Sequence, residues 1–202
     1  MSEARVGDPA VFESARHIVR EIPEGELPRL QALYDLNPEF FHIVNGRGPD
    51  ADEARQQFEE LPPPYLSYTR RWFAGVFDRS GELHGHVAVV SDLVLPRAWH
   101  LATFLMATRL HGSGAAAETF SALEAWVRSQ GACWLRLGVV IGNARAERFW
   151  ERCGFVDVRR RDNMDTGGRI NSLRIMVKPL AGLSVHDYLQ QVPRDRPDST
   201  LP

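Results

Sequence analysis

Residues 107–120 read ATRLHGSGAAAETF. The apolar run before them, HLATFLMAT at 100–108, has a strand core from Leu101 to Thr108. From Gly112 to Gln130 the chain has helical character, with Ala116, Phe120, Leu123 and Val127 on one stripe and Gly131 as its stop. A strand that turns through Gly-Ser-Gly into a helix places unpaired first-turn amides and the positive end of the helix dipole at the turn, where an anion can be received. Glycine at 112 and 114 removes the Cβ atoms that would keep a diphosphate from those amides. The string is neither a Walker loop, which needs G-x-x-x-x-G-K-[ST], nor a complete G-x-G-x-x-G, because Ala117 stands at the third glycine. Taken alone it reads as a phosphate grip or as a glycine hinge into an amphipathic helix.

Working outward, CWLRLGVVI at 133–141 predicts a strongly apolar strand and 143–152 a short helix carrying Ala146, Phe149 and Trp150. Upstream, RRWFAGVFD and ELHGHVAVVSDLV flank the turn Asp78–Gly81 as a hairpin. HIVREI at 17–22 alternates like a short strand. Helices are predicted over 25–36, from Leu27, Leu30, Leu33 and Tyr34, and over 51–60, from the Asp50/Glu53 capping pattern ahead of Pro62-Pro63-Pro64. FVDVRRR and RINSLRIMVKPL close the pattern as strands. A meander joined to crossover helices predicts an α/β three-layer domain with a mixed sheet over 13–183. Residues 1–12 are expected to be a flexible tail, and 184–202, ending PRDRPDSTLP, a mostly disordered one.

The 202 residues carry 24 Lys and Arg against 26 Asp and Glu, a formal charge of -2, so no basic field exists for nucleic acid or an anionic membrane surface. Cys133 and Cys153 have no metal-ligand spacing. MSEARVGDPAVFESA lacks an apolar stretch behind a basic start, and no run approaches the ~20 apolar residues of a membrane span, so a cytoplasmic location is the expectation.

The two motifs together resemble the GNAT superfamily of N-acetyltransferases. Its coenzyme loop, Q/R-x-x-G-x-G/A, is matched by Arg109, Gly112 and Gly114. Its following motif, N-x-x-A-x-x-F-Y-x-x-x-G-F, is matched by Asn143, Ala146, Phe149, Gly154 and Phe155, with Trp150 where tyrosine is common. The resemblance implies an α/β/α domain whose mixed, largely antiparallel sheet splays at the fourth and fifth strands. It implies acetyl-coenzyme A as co-substrate, with the pyrophosphate held by Leu110, His111, Gly112, Ser113, Gly114 and Ala115. Pantetheine would lie along Phe104, Leu105 and Met106, near Asn143, with the Leu105 amide donating to the oxyanion. A primary amine would attack the thioester directly, a small molecule being favoured over a protein terminus. Dimerisation fits the family, and no segment marks an interface.

His100, early in the fourth strand, and Asp92, at the end of the third, are the candidate bases; their plain readings are an edge residue and a turn acid. An indole is not a usable acid, so Trp150 reads as a packing wall near the sulfur. That substitution keeps open a second reading, a degenerate GNAT fold that binds acyl-coenzyme A without turnover. His84 and His86, at i and i+2, would share a strand face, but with no third ligand evident no metal is expected. Cys153 reads as packing, and Tyr34, Phe40, Phe41 and Tyr65 as candidate linings of an acceptor pocket.

Overall fold

The structure is a computed structural model describing residues 9–201. Residues 1–8 of the expected N-terminal tail lie outside the described residues. Its remainder joins the sheet: β1 (Phe12–Glu13) pairs with β2 (His17–Glu21), and Phe12 stacks on Trp126 at 5.5 Å. After β2 come α1 (Leu27–Asp35), α2 (Pro38–Val44) and α3 (Glu53–Glu59). The meander follows as β3 (Arg70–Asp78), β4 (Leu83–Ser91) and β5 (Ala98–Met106). Then come α4 (Ala115–Ser129), β6 (Trp134–Val140), α5 (Ala144–Arg152), β7 (Val156–Asp165), β8 (Ile170–Pro179) and α6 (Val185–Gln191).

Among the described residues eight strands form one sheet in the order β1-β2-β3-β4-β5-β6-β8-β7, with β5 and β6 its parallel pair. A parallel pair needs a crossover, and α4 supplies it. One face is covered by α4 and α5, which bury Phe120, Leu123, Val127 and Trp150 against Val87, Val89, Leu101 and Met106. The other is covered by α1–α3, whose Leu30, Tyr34 and Phe41 pack on Phe73, Ala88 and Leu105, and by α6. β4 sits between both layers and is buried along nearly its whole length, as its apolar sequence requires. The mixed three-layer sandwich expected from the sequence is therefore present.

Besides β1, two helices went unread in the sequence. Asn37-Pro38 opens α2, with proline pre-set for the first helical turn. Beyond 183, where disorder was expected, α6 begins with a Ser184/Asp187 capping box. Tyr188 and Asp195 of this segment are fully buried, and Asp195 Oδ2 accepts from Arg136 Nε and from Tyr188 Oη, both at 2.6 Å. The charge that makes the tail look disordered is the counter-ion of an arginine on β6. Burial alone would raise the Asp195 pKa, but the Arg136 hydrogen bond and charge hold it below the usual value.

Candidate functional site

β5 and β6 pair only over Ala98–Trp134, Trp99–Leu135 and His100–Arg136, after which the strands part. β6 continues against β8 to Val140, so the far half of β5 has an unpaired edge. A cleft of about 550 Å³ opens there, lined by Phe104, Leu105 and Met106 from β5, by the 108–117 loop and helix start, and by Asn143, Ala146, Phe149 and Trp150. These are the two sequence motifs, brought face to face across the splay.

The alternation of the strand decides which backbone groups are free. The Ala107 amide donates to His84 O at 2.8 Å, and Leu105, two residues earlier, points its peptide groups the same way, into the ladder with His86. The neighbouring Phe104 and Met106 therefore turn theirs toward the gap. Met106 O accepts a 3.1 Å bond from His111 Nε2 on the cleft side, as this alternation demands. The assignment of the oxyanion donor to the Leu105 amide is thus corrected; the available amides are those of Phe104 and Met106.

In the loop, Gly112 and Gly114 have φ of +79° and +82°, left-handed values that glycine adopts without strain. A Cβ on Gly112 would meet no protein atom within 4 Å, so the space above it is free. Gly114 is the N-cap of α4 and offers no side chain. The Ala115 amide reaches Ser113 Oγ at 3.3 Å, while those of Ala116 and Ala117, both lining the cleft, have no partner among the described residues. The uncapped start of this 15-residue helix opens onto the cleft, the kind of position where backbone amides and the helix dipole favour negative charge.

Arg109 points elsewhere. It bonds Glu82 at 2.5 Å, is half exposed, and does not line the cleft. Arg145 and Arg152 do line it, and neither was singled out in the sequence although both lie within NARAERFWERCGF. Arg145 contacts His111 Nδ1 and comes within 3.8 Å of Glu39 on α2. Asn37, Glu39, Phe40 and Ile43 line the same cleft; Asn37 Oδ1 also accepts the Thr108 amide at 2.5 Å, tying the loop to α2. Of the aromatic residues considered for an acceptor pocket, only Phe40 lines it. Tyr34 and Phe41 are core, and Tyr65 is exposed.

Asn143 caps α5, accepting from the Ala146 amide at 3.2 Å. Trp150 is nearly buried, with its ring 5.4 Å from Phe104 and 5.3 Å from Phe120, and forms the wall of the cleft. The candidate bases lie outside the lining. His100 Nδ1 accepts from Arg136 at 3.3 Å, and burial, with the adjacent Arg136 charge, lowers its pKa to about 3, too low to drive proton removal near neutral pH. Asp92 has φ of +56° and holds the Arg97 amide at 2.6 Å, which is the work of a turn acid. Burial raises the Cys153 thiol to about 11, against a nucleophilic role. His84 and His86 do not share a face: a bulge pairs Val76 with Gly85 but Phe77 with Leu83, so His84 turns toward His17 while His86 meets Tyr34.

A family model described as the acetyltransferase (GNAT) family matches residues 30–155. The chain belongs to the GNAT acetyltransferase family. Family and fold together make it an acyl-coenzyme A N-acyltransferase. A spermidine N-acetyltransferase from Vibrio cholerae, solved with CoA and spermine, superposes with a TM-score of 0.61 at 17% identity, covering 80% of this chain and 94% of that one. An acetyltransferase from Thermus thermophilus gives 0.64 at 21%, covering 85% and 100%. A Salmonella typhimurium enzyme that modifies the N-terminal serine of ribosomal protein L7/L12 gives 0.65 at 14%, covering 83% and 97%. At these identities the likeness is one of fold. No curated protein sequence matches the chain. Among the described residues no helix is long and apolar enough to cross a membrane.

Proposed function

We propose that this GNAT protein transfers the acetyl group of acetyl-coenzyme A to a primary amine on a small molecule. The observation that carries the reading is the uncapped start of α4, with Gly112 and Gly114 both left-handed, opening onto the free edge of β5. The residues fit the coenzyme. The Ala116 and Ala117 amides would face its pyrophosphate, helped by Arg145 and Arg152, and the Phe104 and Met106 peptide groups would pair with the pantetheine arm. The Phe104 and Met106 amides are the donors directed at the gap, where negative charge would develop on a thioester oxygen. Trp150, Phe104 and Phe149 pack into an aromatic wall that would shield that region from water when the coenzyme is bound. His111 bonds the Met106 carbonyl and contacts Arg145, so its ring leaves Met106 when the arm pairs there.

Glu39 is the carboxylate lining the cleft; most of its side chain is exposed, and it would attract a cationic amine at the mouth. With His100 and Asp92 turned elsewhere, the amine's proton leaves through solvent or Glu39. Trp150 supplies no hydroxyl acid, which favours a second reading, coenzyme binding without turnover. Thiol release from acetyl-coenzyme A, measured across polyamines, aminoglycosides, amino acids and peptides alongside calorimetric coenzyme binding, separates the two. Turnover with a small amine supports transfer. Binding without release across the panel supports the second reading, and no binding rejects both.

A further inference from the structure

The bulge that separates His84 from His86 assembles a different cluster at the β3–β4 turn. Asp78 Oδ2 lies 3.7 Å and Glu82 Oε2 3.5 Å from His84 Nε2, and all three atoms fall within 4.8 Å of one another. Each acid has its other oxygen engaged. Asp78 Oδ1 accepts the Ser80 and Glu82 amides at 2.9 and 2.8 Å, and Glu82 Oε1 accepts Arg109 at 2.5 Å. The oxygens facing His84 are the ones left over. His84 is only 9% exposed, and its Nε2 is buried with no hydrogen-bond partner.

Its other ring nitrogen is held. His84 Nδ1 lies 3.2 Å from His17 Nε2, and His17 Nδ1 lies 3.4 Å from Thr119 Oγ1 on α4. If His84 donates to His17 and His17 donates to Thr119, the lone pair of His84 Nε2 is directed between the two carboxylates. An outer partner that sets a metal-bound imidazole's tautomer works in this way. With the protons shifted the other way, Nε2–H would face the acids. At 3.5 and 3.7 Å, however, it is beyond ordinary N–H···O length for both. Those separations instead approach the ~3.3 Å between ligand atoms around a tetrahedral ion held at about 2.0–2.1 Å.

We propose that Asp78, Glu82 and His84 bind a divalent transition ion, Zn²⁺ foremost, outside the coenzyme cleft. One imidazole and two carboxylates are borderline-to-hard donors suited to such an ion, and the exposed side of Glu82 leaves a position for water. The ion would fasten the hairpin turn to β2 and α4 through His17 and Thr119. It would also share Glu82 with Arg109, which begins the glycine loop.

The test titrates chelator-treated full-length protein with ZnCl2 by calorimetry near neutral pH and follows thermal unfolding with and without the metal. One ion per chain and a raised Tm are expected. Glu82→Gln and His84→Gln should each lose tenfold or more in affinity, and His17→Gln about tenfold as an outer-shell change. His186→Gln, at an exposed position of α6, should bind as the wild type does. Should His84→Gln fail to fold, the exposed Glu82→Gln still decides. Absence of saturable binding, or equal affinity in wild type and Glu82→Gln, would overturn the assignment; preference for Mg²⁺ over Zn²⁺ would overturn the ion class.

Discussion

His86 makes the stability of this fold depend on pH in a way that can be calculated and then removed. The residue has no exposed surface, one ring nitrogen bonded to Tyr34 Oη at 2.8 Å, and the other without a partner. Burial, with the nearby Arg71 charge, lowers its pKa from 6.5 to about 3. The unfolded chain therefore binds the proton more readily. The contribution is complete above the unfolded value and is lost as pH falls from ~6.5 toward ~3. At pH ~5 the folded imidazole is still neutral while the unfolded one is protonated. The loss is then about 1.5 pH units at ~1.4 kcal/mol each, or about 2 kcal/mol. This figure barely depends on the folded value so long as that lies well below 5. For a domain of this size the corresponding fall in Tm is roughly 4–8 °C.

The perturbation is His86→Leu, which leaves Tyr34 its 2.9 Å bond to Gln57 and removes the titrating ring. Urea unfolding at pH ~8 and pH ~5 supplies the difference for each protein. His100 titrates in the same window, so the wild type should lose more than the His86 share alone. Subtracting the variant's loss isolates that share, about 2 kcal/mol. Equal losses in wild type and variant would refute the reasoning. So would ring NMR signals showing His86 protonated in the folded protein at pH ~5.

Gly112→Asn and Gly112→Asp have similar shapes and both tolerate positive φ, so they differ mainly in charge. Calorimetry should find coenzyme bound about tenfold or more weakly by the Asp variant than by the Asn variant, and equal affinities would remove the pyrophosphate assignment. Arg145→Ala should raise the coenzyme Kd about tenfold, one lost charge-assisted contact, whereas Arg109→Ala, paired with Glu82, should change it less than about threefold. Asp195→Ala should destabilise the fold by about 3–5 kcal/mol in denaturant melts, because Arg136 is left buried and unpaired. A loss below ~1 kcal/mol would show that the C-terminal segment is not the partner that the geometry makes it.

The glycine loop and the Asn143 motif were legible because each is local. A strand, a turn and a helix start lie within a dozen residues, and their periodicities do not depend on what packs against them. α2 was missed because its seven residues are too short for a periodic signal, although Asn37-Pro38 marked its start. Arg145 and Arg152 stand inside a motif already singled out, but sequence spacing does not say which side of α5 faces the cleft. The bases failed for the same reason: His100 lies in β5 where the splay begins, yet its ring turns to Arg136.

The order of elements, the mixed sheet and the glycine turn into α4 were thus determined by the sequence itself, through hydrophobic period, glycine and helix-start chemistry. Tertiary structure decided which groups are free. A bulge at His84 reversed the face that alternation predicts, and the ladder with β4 withdrew the Leu105 amide and left those of Phe104 and Met106. Arg136 drew a charged, proline-rich tail into the core. For Leu105 and for Arg136 a partner distant in sequence completes or withholds a hydrogen bond or charge, and local pattern carries no record of that partner.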